Sequence, residues 1–244
     1  MYPILLILVA VAGAGVVLYG AWAWSRTRST LLLFCIASLA AAVLDALWAG
    51  IGHRFGPGHQ LLDLYALPLL IATFAWPLSL YTMATLSRRL GHAWARIDWG
   101  HGAVCLLAAA LLVYGLPGLL RLRALVPGCW QDVVWYARSV PAVLACPGSD
   151  AGAATATGFP LVLACVLAGW GALGFEIWRH ERQPWLLVAV LAGSGLMLLP
   201  AGWGPVPGAV GLPLVFAAVV VEVVRRVQVL VVTPAGESRE GGPQ

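Results

Sequence analysis

Ala66-Leu67-Pro68-Leu69-Leu70-Ile71-Ala72 is nearly repeated, 145 residues later, by Gly211-Leu212-Pro213-Leu214-Val215-Phe216-Ala217. Each copy lies near the start of a long apolar segment. Upstream the correspondence continues at an offset of 156: Gly13 and Gly15 with Gly169 and Gly171, Tyr19 with Phe175, Trp22 with Trp178, Arg26 with Arg182, Ser38 with Ser194. The second copy therefore lacks eleven residues between its second and third segments. A repeat of this period governs the whole architecture. It reads as two three-helix units joined by a single helix.

Composition places those helices in a membrane. Residues are 61% hydrophobic and 10% charged, and mean hydropathy is +0.89; soluble domains carry roughly 25% charged residues. All 14 basic residues are arginine, which excludes lysine Schiff-base or lysine-nucleophile chemistry. Apolar stretches at 3–24, 30–51, 62–86, 99–120, 157–178, 185–203 and 209–224 approach the ~20 residues a helix needs to cross a hydrocarbon core. They are continuously apolar rather than alternating, which favours helices over a barrel. The expectation is an all-α, polytopic membrane protein with seven transmembrane helices in a 3+1+3 parallel-repeat arrangement. A single membrane domain covers 1–232: a first unit at 1–90, a linker helix at 91–120, an exoplasmic loop at 121–156 and a second unit at 157–232. The polar, Gly/Pro-rich tail 233–244 is expected to be disordered.

Arginine placement orients the bundle. Arg26, Arg28, Arg88, Arg89, Arg96, Arg179, Arg182, Arg225, Arg226 and Arg239 fall on one side of the alternating segments. Arg54, Arg121, Arg123 and Arg138 fall on the other. The positive-inside rule then puts the amino terminus outside and the carboxyl terminus in the cytoplasm of a multi-pass cell-membrane protein. The net charge of +4 is thus a topology signal, with no nucleic-acid partner implied. The first segment lacks a basic n-region and is expected to be a retained helix. Cys129 and Cys146 share the outer loop, where an oxidising compartment permits a disulfide.

The parallel layout resembles, in architecture, that of sugar transporters of the SWEET type, their PQ-loop relatives and the microbial opsins. The helices contain no Pro-Gln pair, and no lysine exists for a retinal linkage. Seven-helix zinc hydrolases, the alkaline ceramidases and progestin-receptor relatives, need a histidine pair on the last helix; this one has no histidine.

Function is sought where the two units differ. Gly52-His53-Arg54-Phe55-Gly56-Pro57-Gly58-His59 is flanked by Asp45 and Asp63, whose counterparts in the second unit are Ala201 and Gly208. An aspartate within a membrane helix is costly and marks a functional position by default. The leading expectation is a carrier or binding protein for a small molecule, its site between the units in the outer half. Asp45, Trp48, Asp63, Tyr65 and the proline-broken turns at Pro68 and Pro213 would line that site, because transporters bind where helices are interrupted. A rival is a membrane-embedded hydrolase with zinc on His53, His59 and Asp63. A third reading is a sensor acting through a membrane partner or a second copy of the chain. Glu222 and Arg226, at i,i+4 spacing, and the Glu176–Arg182 region read as structural.

Overall fold

The structure is a computed structural model and describes residues 2–120, 125–137, 140, 144–147, 159–199 and 205–232. The chain forms α1 (Tyr2–Thr27), α2 (Thr30–Ile51), a 3-10 turn (Gly52–Arg54), α3 (His59–Arg89), a short α4 (Ala93–Arg96) and α5 (Asp98–Leu120). An antiparallel hairpin follows, β1 (Val126–Trp130) and β2 (Val133–Ala137), then α6 (Phe159–Glu181), α7 (Trp185–Met197) and α8 (Val206–Val232). Arg121, Arg123, Arg138, Ala201, Trp203 and the tail 233–244 lie outside the described residues.

Six helices are long and apolar enough to cross a membrane, and the chain is an integral membrane protein by that criterion. Within the expected span over 185–203 the described helix is shorter than expected: α7 has 13 residues, which rise only about 20 Å against a ~30 Å core. The helix closes with the Leu198 N–H reaching back to the Ser194 and Gly195 carbonyls. Pro200 follows in the sequence, and helices commonly end before the residue preceding a proline.

α2 is the most enclosed of the first helices, packing on α1, α3 and α8 with β2 against its end. α3 packs on α2, α5 and α6; α8 packs on α1, α2 and α7. Three polar or aromatic contacts pin α3 to its neighbours. Thr82 Oγ1 donates to the Leu31 carbonyl of α2 at 3.2 Å, Trp170 Nε1 of α6 donates to Ser79 Oγ at 3.3 Å, and Trp76 stacks on Phe216 of α8. Large apolar side chains such as Leu8, Leu18, Leu106, Val113 and Leu191 are exposed on the outside, as expected where lipid is the solvent. Gly13 and Gly169 both sit under a neighbouring helix, but Gly13 meets Val43 of α2 whereas Gly169 meets Leu80 of α3. The register of the duplication is therefore not reproduced at that pair.

Two ends of the bundle are distinct. The hairpin lies with the start of α1, the end of α2 and the start of α3: Tyr2 contacts Trp130, ring centroids 4.7 Å apart, and Tyr136 donates to the Gly58 carbonyl at 3.0 Å. The ends of α3, α6 and α8 gather at the opposite face. There Arg226 is held by Glu181 at 2.6 Å and by Glu222 at 2.6 Å.

Trp170 is fully buried and supplies both volume and a donor. Trp170→Ala is expected to destabilise the detergent-solubilised protein by about 3–5 kcal/mol. Trp170→Phe, which loses mainly the bond to Ser79, should cost nearer ~1 kcal/mol. Thermal unfolding of the two variants measures the difference.

Candidate functional site

Asp45 and Trp48 stand three residues apart on α2, and so share one face. That face meets the first turns of α3. Leu61 and Tyr65 of α3 and Val134 of β2 form a small buried cluster against which Trp48, Cys129, Trp135 and Tyr136 pack. Asp45 lies close enough to Tyr65 to act on it electrostatically. The hairpin reaches this corner because α2 ends in Gly52: a Cβ there would stand 2.5 Å from the Val134 carbonyl oxygen. Its two-residue turn, Gln131-Asp132, has positive φ at both positions, the twist that closes a tight hairpin. Burial pushes the Tyr136 hydroxyl up from its ordinary value, while its bond to Gly58 acts the other way.

Three polar side chains of this corner make no hydrogen bond among the described residues. Trp48 Nε1 and the Tyr65 hydroxyl are buried without a hydrogen-bond partner. Asp45, partly buried, has neither a hydrogen bond nor an ion pair among the described residues. Orphaned buried polar atoms are rare and costly. Two such atoms beside the Asp45 carboxylate form a site that a ligand's complementary groups would complete.

The other residues singled out from the sequence are placed as follows. Asp63, Arg54, His53 and His59 are exposed, and His53 Nδ1 lies 3.2 Å from the Gly50 carbonyl. His53, His59 and Asp63 do not converge as metal ligands would; among the described residues one group alone does, His92, Glu176 and His180. Pro68 is buried in α3, one turn beyond Tyr65, and Pro213 is buried in α8. Cys129 and Cys146 are joined by a disulfide, which ties the Leu144–Cys146 segment beside β1.

The second polar cluster, at the opposite face, was read from the sequence as an ordinary boundary. α3 closes with a Schellman cap: Gly91, at φ +83°, donates to the Arg88 carbonyl and His92 to the Ser87 carbonyl. That left-handed residue, which favours glycine, turns His92 toward α6. His92 Nδ1 lies 3.9 Å from Glu176 Oε2, and His180 Nε2 lies 3.3 Å from the same oxygen. Burial, the largest influence, lowers the His92 pKa; Glu176 opposes it, while His180 and Arg226 reinforce it. Glu222 is fully buried; Arg226 binds its Oε1, and Arg225 Nη1 stands 4.0 Å from its Oε2. Arg225 also donates to Gln183. The i,i+4 pairs Glu176/His180 and Glu222/Arg226 are visible in the sequence; the approach of His92 from another helix is not.

No family model matches the sequence, and no curated protein matches it. The functional reading therefore rests on the geometry of the site.

The disulfide joins cysteines 17 positions apart in the sequence and ties β1, beside the Asp45 corner, to the Leu144–Cys146 segment. Replacing Cys129 and Cys146 together by serine is expected to lower stability by up to about 3 kcal/mol through chain entropy. In sealed vesicles, the hairpin should then be cut faster by an added protease, and reductant should do the same to the unaltered protein.

Proposed function

We propose that this membrane protein binds a small cationic solute at the Asp45 corner, beside the hairpin, and acts as its carrier or binding protein. The observation that carries the proposal is the set of three partnerless polar groups: the Asp45 carboxylate, the Trp48 N–H and the Tyr65 hydroxyl. A carboxylate with no protein cation favours a cationic ligand. The aromatic rings beside it favour a cation further, since a ring face attracts positive charge. The free N–H and O–H call for an acceptor oxygen on the same ligand. The ligand class is therefore a protonated or quaternary amine bearing a hydroxyl or carbonyl oxygen.

Seven crossings are part of this reading. Arg226, near the end of α8, pairs with Glu181 at the end of α6, so these two helices finish at one face and run parallel. The chain between them, which includes α7, must return to the hairpin face before α8 begins. The disulfide favours an oxidising compartment at the hairpin face. Among the described arginines only Arg54 lies at that face, and both features favour an exoplasmic site. A tandem origin draws support from the exchange of packing, α1 on α8 and α6 on α3. The site itself is built within the first unit and its hairpin, with Pro68 close by.

Calorimetry on the detergent-purified protein, with choline and ethanolamine as probes, tests the assignment. Saturable binding is expected; Asp45→Asn should weaken ethanolamine more than about tenfold, since a hydrogen bond to a charged group contributes ~1.5–3 kcal/mol, and should weaken choline, which has no N–H on its nitrogen, through the lost charge alone. His53→Ala and His59→Ala should bind as the unaltered protein does. Failure of both probes to bind, or undiminished binding by Asp45→Asn, refutes it. Uptake of the bound probe into reconstituted vesicles separates a carrier from a binding protein.

A further inference from the structure

We infer that His92, Glu176 and His180 form a binding site for a zinc-type divalent transition metal at the face opposite the hairpin. Their donor atoms all lie within 4.8 Å of one another, with Glu176 Oε2 at 3.3 Å from His180 and 3.9 Å from His92. Donors on a tetrahedral zinc with bonds of ~2.0–2.1 Å are about 3.3 Å apart, so small side-chain rotations complete the set. Two imidazoles and one carboxylate suit zinc, cobalt or nickel rather than calcium or magnesium, which take oxygen ligands.

A second observation points the same way. The His92 side chain is only 9% exposed, and its Nε2 is buried with no hydrogen-bond partner. Its Nδ1 stands too far from Glu176 for a hydrogen bond. Among the described residues neither nitrogen of this buried imidazole is hydrogen-bonded, so it is free to give one of them to a metal shared with the Glu176 carboxylate and the His180 imidazole. The local charge permits it: Arg226, whose charge acts on His92, is already met by Glu181 and Glu222. Glu176 and His180 are one helical turn apart on α6, whereas His92 arrives on the turn after α3. The ion would clamp those two elements, and His180, 62% exposed, leaves the fourth position open to water.

The test uses full-length protein without a polyhistidine tag, purified in detergent, stripped with a chelator and titrated with Co²⁺. One equivalent is expected, with the strong visible absorption of four-coordinate cobalt and its loss when Zn²⁺ is added. His92→Ala, Glu176→Gln and His180→Ala should each weaken Co²⁺ by more than the ~10–100-fold that altering an outer-sphere partner costs. His180→Ala changes a largely exposed side chain, so its effect is separable from misfolding. The double variant His53→Ala/His59→Ala should bind as the unaltered chain does. Absence of a stoichiometric cobalt spectrum, or its persistence in His180→Ala, overturns the assignment.

Discussion

In hydrocarbon a polar group has no water to turn to, so its partner must come from the protein. Most of this chain obeys that constraint locally. Backbone groups are satisfied inside long helices, and small hydroxyls bond back one turn: Ser38 to the Phe34 carbonyl, Thr73 to the Leu69 carbonyl. Where hydroxyls reach further they join helices, as Thr82 does with α2 and Ser79 with Trp170 of α6. Charges are gathered at one end, where Arg226 meets Glu181 and Glu222 together. Against this background Asp45, Trp48 and Tyr65 stand out as groups the fold positions but does not satisfy.

The two polar clusters occupy opposite ends and differ in chemistry. The Asp45 corner is a single carboxylate among aromatic rings, roofed by a disulfide-tied hairpin. Its character is that of recognition: one charge, two donors and apolar walls. The His92 cluster is dense in nitrogen and carboxylate donors, and it joins the ends of α3 and α6. Both depend on a backbone device that brings a loop onto the bundle. At one end Gly52 lets the Val134 carbonyl approach α2; at the other the left-handed Gly91 turns His92 inward.

Much of the architecture was legible from residue order. Continuous apolar runs marked α1, α2, α3, α5, α6 and α8, because a spanning helix must be apolar along its whole length. The position of α7 was legible too, but its length was not. Hydropathy counts apolar residues past Leu198, whereas the backbone stops there ahead of Pro200. Asp45, Trp48 and Tyr65 were singled out from depth and spacing alone. His53, His59 and Asp63 were grouped with them because they are close in sequence, yet the 3-10 turn and the start of α3 leave all three exposed. The paired glycines misled in a similar way: Gly13 and Gly169 match in the sequence but face non-equivalent helices.

By itself the sequence determined that this chain lives in a bilayer, where its helices run, and that Asp45 needs an explanation. These follow from hydropathy and helical spacing, which are properties of short windows. Only the tertiary structure decided that the hairpin packs on Trp48 and Tyr65, that these two lack hydrogen-bond partners among the described residues, and that His92 meets Glu176 and His180. Those meetings join residues far apart along the chain, through helix packing and two tight turns whose directions no local pattern encodes.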